Sequence, residues 1–219
     1  MAALVLASAS PARLETLRRA GITPYVLVSG IDEDAVLVAA QASYGSLAPD
    51  EAPLVLARAK AEAVARMLDG DRAPADWPSD AVVLGCDSML ELDGEVHGKP
   101  VDAAEATTRW RRMSGRSGVL HTGHWVIDLR EDGGGATLGA VASTTVHFAD
   151  LSDAEIEAYV GTGEPLSVAG AFTTDGLGGA FVRGIEGDHH NVVGVSLPLL
   201  RTLLADCGVQ WTTLWLEST

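Results

Sequence analysis

The first thirteen residues place the strongest constraint on what this chain can fold into. Residues 4–7 are an apolar run typical of a buried strand, and a polar turn over residues 8–13 follows at once. A helical pattern then covers residues 11–20, with Ser10 suited to the N-cap and Pro11 to the first turn. Such strand–turn–helix junctions hold anions in α/β proteins, because free backbone N–H groups and the helix dipole face the turn. The sequence therefore predicts an α/β fold with a phosphate site here.

Three side chains of this turn are candidate phosphate ligands. Ser8 and Ser10 offer hydroxyl donors, and Arg13 offers a guanidinium that suits phosphate oxygens. The alternative is an ordinary N-capped helix that carries a solvated arginine. The local sequence alone favours that plainer interpretation.

The rest of the chain alternates helical and strand patterns and has no linker-like segment. This predicts a mixed sheet in one domain over residues 1–219, either as one unit or as two lobes around a cleft. Loops are predicted over residues 69–80 and, rich in glycine, over 161–180. Predicted helices cover residues 11–20, 51–68, 102–113, 153–160 and 197–206. Predicted strands cover residues 3–7, 25–28, 81–85, 89–92, 117–128, 136–149, 180–185 and 210–216.

Charge and composition exclude several classes of function. The net charge of −15 argues against a nucleic-acid or anionic-membrane surface, although a local cation cluster could still hold a triphosphate. No apolar run is long enough to span a membrane, and no basic leader precedes an apolar segment, so we expect a cytoplasmic protein. Cys86 and Cys207 form no metal or redox motif and are expected to be reduced, with a disulfide between them as the open alternative.

Lysine is rare in this chain. Of its 15 basic residues, 13 are arginine and only Lys60 and Lys99 are lysine. In such a background a lysine stands out as a position that needs a compact ammonium, or as a survivor of drift. Lys60 lies at the edge of the apolar stripe of residues 51–68, where it either extends past the core to solvent or points into a cleft. Lys99 lies between Gly98 and Pro100, which would fix an ammonium for triphosphate oxygens without forming a P-loop.

Two carboxylates are candidate catalytic or metal-binding groups. Asp87 comes just after the apolar run 81–85, and α/β enzymes place reacting groups at the carboxyl ends of strands. Glu33 lies in the acidic segment 31–34, which is predicted to be a loop. Together the two could share Mg²⁺, a hard ion that prefers oxygen ligands. The alternatives are a capping role for Asp87 and a solvated acidic turn around Glu33.

The histidines form no convincing metal pair in the sequence. His121 and His124 are three residues apart on a predicted strand, so they are expected to face opposite sides of the sheet. His189 and His190 are adjacent and are equally poor as a pair of ligands.

Taken in chain order, the motifs resemble those of the Maf family of nucleoside triphosphate pyrophosphatases. Each block alone is weak, but the ordered set is specific and covers nearly the whole chain. Lys60 and Lys99 both lie within these motif blocks. The blocks lie at residues 6–13, 33, 57–61, 85–88, 98–100, 113–115, 121–123, 163–165, 169–172, 185–188 and 191–194.

The resemblance implies a two-lobed α/β fold with an elongated, bent mixed sheet and a central nucleotide cleft. It implies hydrolysis of a nucleoside triphosphate, standard, modified or otherwise non-standard, between the α and β phosphates to the monophosphate and pyrophosphate. It also implies a divalent cation (Mg²⁺ or Mn²⁺), a cytoplasmic location and often a homodimer. By motif match Asp87 is the general base and Glu33 helps to hold metal or water. Phosphate binding falls to Ser8, Ser10, Arg13, Lys60 and Lys99.

Three departures from the family pattern bear on the substrate. Ala12 stands where many members have a second arginine, and residues 167–168 are Ser-Val where better-known members have Asp-Lys. Asp175 stands where subfamilies have Gln or Glu, so it is a candidate contact to the base. The family's link to arrest of septum formation leaves a regulatory role in cell division as an alternative function. A nucleotide sensor with little turnover is another.

Overall fold

The computed structural model describes residues 2–70 and 73–215. In this part of the chain, seven strands form one mixed sheet in the order β2–β1–β3–β5–β6–β7, with β4 alongside β3. Strand β1 runs parallel to β2 and β3, and every other pairing is antiparallel. The predicted α/β class with a mixed sheet is therefore confirmed. The strands are β1 (Ala3–Leu6), β2 (Tyr25–Val26), β3 (Ala81–Leu92), β4 (Glu95–His97), β5 (Ser117–Asp128), β6 (Thr137–Phe148) and β7 (Val182–Glu186).

Helices flank this sheet and mostly follow the sequence pattern. Ser10 accepts a hydrogen bond from the Arg13 N–H at the start of α1, which confirms the predicted N-cap. Ser152 and Glu155 form the reciprocal capping box expected before α5. None of the described helices is long and apolar enough to cross a membrane. The helices are α1 (Pro11–Arg19), α2 (Glu33–Tyr44), α3 (Glu51–Leu68), α4 (Ala103–Met113), α5 (Asp153–Gly161), α6 (His189–Val193) and α7 (Leu197–Asp206).

Strand β3 is longer than the sequence pattern predicted. The two predicted strands, 81–85 and 89–92, are one strand of twelve residues whose ladder with β5 continues through the polar residues between them. Polar side chains interrupted the apolar pattern there, but the backbone hydrogen bonds do not break. The expectation that Asp87 follows the end of a strand is therefore wrong, because Asp87 lies in the middle of β3.

The two ends of β3 belong to different apolar clusters. Near its start, Leu84 packs in a cluster with Leu17 of α1 and Leu200 of α7. Near its end, Leu90 packs in a cluster with Trp110 of α4 and Phe148 of β6. The polar residues of β3 therefore lie between two separately packed regions of the core.

Two segments were assigned wrongly from the sequence. The acidic segment 31–34 is not a loop, because the Asp32 side chain accepts a hydrogen bond from the Ala35 N–H (3.0 Å) and caps α2, which begins at Glu33. The tail predicted as a strand over 210–216 contains a 3₁₀ helix, Trp211–Leu214. Trp211 and Leu214, three residues apart, both pack on the core, a spacing that a 3₁₀ turn satisfies and a strand does not. Leu216 lies outside the described residues.

Candidate active site

A lysine and two carboxylates form a polar cluster beside β3, here called the Lys60 cluster: Lys60, Glu33 and Asp87. The Lys60 ammonium of α3 lies 2.5 Å from Asp87 Oδ1 and 2.7 Å from Glu33 Oε1, so it bridges the two carboxylates. Lys60 and Asp87 are only 8% and 7% exposed, while about half of the Glu33 side chain is exposed. Of the two interpretations of Lys60, the structure supports the one in which it points inward. The predicted site residues Glu33, Lys60 and Asp87 are thus brought together.

Two glycines allow α3 to come close enough for this contact. A Cβ atom on Gly85 would lie 2.1 Å from the Ala57 carbonyl oxygen, and one on Gly123 would lie 2.4 Å from the Pro53 carbonyl oxygen. Gly123 pairs with Asp87 across the β3–β5 ladder, so the bare backbone lies directly beside the carboxylate. These glycines set the distance between helix and sheet, and with it the position of Lys60 over Asp87.

Opposing electrostatic effects act on Asp87. Burial is the largest and raises the pKa of its carboxyl above the ordinary value, because a charged group loses its hydration. The nearby cations Lys60 and Arg13 act in the opposite direction and offset part of this increase. A carboxylate with a raised pKa is better suited to accept a proton than a solvated one.

Arg13 lies on the other face of β3 and is firmly held. Its Nε donates to the Gly194 carbonyl oxygen (2.7 Å), Nη1 to Ser8 Oγ (3.2 Å) and Nη2 to Ser88 Oγ (3.0 Å). Because neighbouring residues of a strand point to opposite faces, Arg13 approaches the strand from the side of Ser88 and Lys60 from that of Asp87. Three of the five guanidinium N–H donors are engaged within the protein, which leaves two for a ligand.

Apart from Ser8, the side chains that hold Arg13 had no individual role in the sequence-based predictions. Ser88, which accepts from Arg13, contacts Thr122 Oγ1 (2.9 Å), and the Thr122 hydroxyl donates to the Asn191 carbonyl oxygen (3.1 Å). The Asn191 amide nitrogen in turn donates to the Leu120 carbonyl oxygen (3.2 Å). These residues lie in the sequence blocks 85–88, 121–123 and 191–194, but only the fold shows that they form one buried hydrogen-bond chain.

The other predicted site residues lie apart from the Lys60 cluster. Ser10 caps α1, and Lys99 is exposed and makes no hydrogen bond or ion pair with the residues that the structure describes. Asp175 is also exposed and accepts a hydrogen bond from the Thr173 hydroxyl. It lines a cavity of about 480 Å³ whose walls include His189 and His190 but not the Lys60 cluster. The roles predicted for Ser8, Ser10, Lys99 and Asp175 in ligand binding stay predictions.

The two cysteines and the two histidines of β5 contact other parts of the protein. Cys86 and Cys207 are both free and buried, as expected, and burial raises the pKa of the Cys86 thiol to about 12. His121 contacts Glu91 and Ser143, whereas His124 contacts the Thr122 carbonyl oxygen and the Ser196 N–H, so neither shares a ligand with the other. The different partners agree with the expected orientation of two residues three apart on a strand.

The adjacent histidines require a correction. His189 and His190 were expected to be a poor pair, but their ring centroids lie 3.8 Å apart and their donor atoms come within 4.8 Å of a carboxylate oxygen of Asp188. The cause is α6, a short helix that the sequence pattern did not predict. It begins at His189 and is capped by Asp188.

The Lys60 cluster has the donor chemistry that Mg²⁺ or Mn²⁺ requires. Asp87 and Glu33 offer hard carboxylate oxygens to one common point, now taken by the Lys60 ammonium. Mg²⁺ is commonly bound by one or two carboxylates, with substrate phosphates and waters completing its shell. The two residues therefore fit a divalent ion that arrives with a triphosphate.

The amino-acid sequence matches a known protein family and its curated members. The family model described as Maf-like protein matches residues 3–207. The chain belongs to the Maf family. Curated Maf relatives named nucleoside triphosphate pyrophosphatase include those from Salinispora tropica (57% identical, covering 99% of this chain and 88% of the relative) and Streptomyces coelicolor (53%, covering 97% and 94%). A third, from Leifsonia xyli subsp. xyli, is 52% identical and covers 97% and 96%.

A search of solved structures found a more distant similarity. A nucleoside-triphosphatase (dITP/XTP pyrophosphatase) structure from Mycobacterium abscessus is 11% identical, with a TM-score of 0.36 over 94% of each chain. The Maf family membership of this chain rests on its sequence relatives and family model.

Proposed function

We propose that this chain is a nucleoside triphosphate pyrophosphatase that hydrolyses the bond between the α and β phosphates to give the monophosphate and pyrophosphate. The observation that carries the proposal is the buried Lys60–Asp87 pair in a Maf chain. Its curated relatives, about half identical over nearly their whole length, are named for this activity. A buried carboxylate beside fixed cations can both accept a proton from water and stabilise phosphate charge.

Asp87 is the proposed general base. Its carboxylate accepts a proton as water attacks phosphorus, the phosphoanhydride bond breaks, and pyrophosphate carries away the electron pair of that bond. Burial raises the pKa of this carboxyl, which makes it a stronger base than a solvated aspartate. Lys60 keeps the carboxylate in place through its 2.5 Å contact with Oδ1.

The cations around the site are proposed to bind the polyphosphate. Arg13, fixed by Gly194 and Ser88, would present the two N–H donors that no described residue engages. Lys99 would add an ammonium that is exposed and has no ion pair among the described residues. Phosphoryl transfer depends mainly on positioning and charge neutralisation, which such fixed groups provide. A Mg²⁺ or Mn²⁺ ion held by Glu33 and Asp87 would supply further charge neutralisation when bound.

The substrate's base and the setting of the enzyme stay predictions. Asp175 would contact the base, where its carboxylate can accept a hydrogen bond from an N–H or amino group. A substrate among modified or otherwise non-standard nucleotides, a cytoplasmic location and a homodimer all come from the family resemblance. The loop predicted over residues 69–80 is only partly described by the structure, because residues 71 and 72 lie outside the described residues.

Replacing Asp87 by Asn tests the proposed function. Asn keeps the shape of the side chain but cannot accept a proton, so turnover should fall at least ~100-fold, the scale of losing a general base. Pyrophosphate release would be measured with Mg²⁺ or Mn²⁺ over a panel of standard, methylated and deaminated triphosphates. Asp175→Asn in the same panel would show whether the preferred base changes.

Three outcomes separate the alternatives. Near wild-type turnover of Asp87→Asn would remove Asp87 as the base. Tight binding of a triphosphate without pyrophosphate release by the folded wild type would favour a nucleotide sensor. No binding and no release, together with a division phenotype that Asp87→Asn retains, would favour the regulatory role.

A further inference from the structure

We propose that Asp188, His189 and His190 form a second metal site, for a borderline transition-metal ion of the Zn²⁺, Co²⁺ or Ni²⁺ class. This site is separate from the carboxylates Glu33 and Asp87, and nothing in the proposed pyrophosphatase activity requires it. It is a two-histidine, one-carboxylate set formed by three consecutive residues at the start of α6.

The first support is the geometry of the donor atoms. One ligand atom from each of the three residues lies within 4.8 Å of the other two. His190 Nδ1 is 3.3 Å from Asp188 Oδ1, and the two imidazole rings are tilted by 38° with centroids 3.8 Å apart. With metal–nitrogen and metal–oxygen bonds of about 2.0–2.2 Å, two ligands of a tetrahedral Zn²⁺ lie about 3.3–3.6 Å apart. The His190–Asp188 separation already fits this distance, and the three donor atoms need only a small side-chain movement to close around an ion.

The second support is a buried carboxylate oxygen. Asp188 Oδ1 accepts a hydrogen bond from the His190 N–H (2.9 Å) and so caps α6. Asp188 Oδ2 is shielded from solvent and has no hydrogen-bond partner among the described residues. Buried polar atoms are nearly always paired, and an unpaired carboxylate oxygen is costly. The carboxylate therefore has unused acceptor capacity beside His190, whose Nδ1 lies 3.3 Å from Oδ1.

The third support is access. His189 and His190 line the cavity of about 480 Å³ that Asp175 also lines, so an ion has a route to the imidazoles. Three protein ligands leave at least one coordination position for water or for a small molecule in this cavity, which is the pattern of open rather than closed zinc sites.

The ligand set determines which ions are preferred. Imidazole nitrogen binds Zn²⁺, Co²⁺ and Ni²⁺ well, whereas Mg²⁺ prefers all-oxygen sites. The chain would thus separate two metals by chemistry, with a hard ion at Glu33 and Asp87 and a borderline ion at α6.

The position of α6 gives the ion a structural effect. Asn191 of α6 holds the Leu120 carbonyl oxygen, and Gly194, just after α6, accepts the hydrogen bond from Arg13 Nε. An ion that ties Asp188 to the first turn of α6 would stiffen the segment that positions Arg13. Binding to the native state alone also raises the unfolding temperature.

Titration of the nucleotide-free full chain with ZnCl₂ or CoCl₂ tests the site. The buffer contains millimolar MgCl₂, which competes with the added ion for the all-oxygen pair Glu33 and Asp87. We expect one equivalent bound by calorimetry, a visible absorption band of imidazole-bound Co²⁺, and a Zn²⁺-dependent rise in unfolding temperature. His189→Gln and Asp188→Asn should each weaken binding at least ~tenfold and remove the rise, a loss no smaller than that seen for outer-shell partners of metal ligands.

The variants are chosen so that folding does not obscure the result. His189 is exposed, and Asn is as good an N-cap as Asp, so both variants are expected to fold. His147→Gln is the matched control, because it removes a histidine on β6 that contacts Glu186 instead. The proposal is overturned if the wild type binds no Zn²⁺ or Co²⁺, if the two variants bind like the control, or if Mg²⁺ displaces the ion at equal concentration.

Discussion

Asp87 lies where an isolated charged carboxylate would be strongly disfavoured. It is buried in the middle of β3, and burial is the largest influence on its pKa. The Lys60 ammonium at 2.5 Å compensates for part of the lost hydration, and the Arg13 guanidinium contributes from the other face of the strand. Lys60 is therefore expected to control the pH at which the proposed base becomes active.

Replacing Lys60 by Gln tests that control. Without the ammonium, the charged form of Asp87 loses electrostatic stabilisation whereas the protonated form does not. The pKa of the carboxyl therefore rises further. A general base acts only when ionised, so the acid limb of the pH profile of kcat/KM should move to higher pH. The measurement is pyrophosphate release as a function of pH, in wild type and Lys60→Gln.

Arg58→Gln is the matched control for this experiment. Arg58 is on the same helix, but it is exposed and paired with Glu62 (2.7 Å), away from Asp87. Its removal should leave the acid limb unchanged. If kcat/KM of Lys60→Gln is lower at every pH but its acid limb stays at the wild-type pH, Lys60 does not control the pKa of Asp87. Phosphate binding would then be the remaining role of Lys60.

At the residue scale, the sequence predicted the charged members of the cluster better than the neutral ones. The scarcity of lysine and the positions of Asp87 and Glu33 singled out those residues, and the structure joins Glu33, Lys60 and Asp87. Ser88 and Thr122 carried no such signal. A serine or threonine in a strand looks the same whether it faces solvent or holds an arginine, and only tertiary contacts distinguish the two.

At the element scale, the approach of α3 to the sheet determines the site. Over Gly85 the helix backbone comes so close that a methyl group would collide with the Ala57 carbonyl oxygen and contact Ala61. Lys60 lies between these two alanines in the helix. Any outward shift of α3 therefore moves the ammonium away from Asp87.

Gly85→Ala should damage both stability and activity. The added methyl meets backbone atoms that cannot rotate away, and overpacking of this kind costs about 1–3 kcal/mol. Turnover should fall as well, because Lys60 moves with α3. Urea unfolding and pyrophosphate release measure the two effects. Gly161→Ala, at the end of α5 with open space where its Cβ would lie, is the control and should lower neither stability nor activity.

The sequence predicted elements where hydrophobic periodicity is strong. Helix α3 (Glu51–Leu68) and helix α7 (Leu197–Asp206) match their predicted bounds, because each has a clear apolar stripe. Helix α2 was missed because its apolar face is weak, with Ala40 as the one buried residue among its described residues. The continuity of β3 was missed because its polar middle resembles a strand end.

At the scale of the whole molecule, His124 links the sheet to α7. Its imidazole lies on β5 and is fully buried, with Nδ1 donating to the Thr122 carbonyl oxygen (3.0 Å) and Nε2 accepting from the Ser196 N–H (2.8 Å). Ser196 is the N-cap of α7. Burial lowers the pKa of His124 to about 4, so the ring is neutral in the native state at physiological pH. Only the neutral ring can accept the Ser196 hydrogen bond.

This buried histidine predicts how stability depends on pH. The unfolded chain binds a proton on His124 near pH 6.5, whereas the native state binds it only near pH 4. Acid therefore favours unfolding across this window, and His124 alone should lower the free energy of unfolding by up to about 1.4 kcal/mol per pH unit as the pH falls through it. Urea unfolding of wild type and His124→Gln at pH 7.5 and pH 5 measures this contribution. The variant should be less stable at pH 7.5, where the link to α7 is lost, but should lose less stability on acidification. Parallel losses in the two proteins would show that other groups govern acid unfolding.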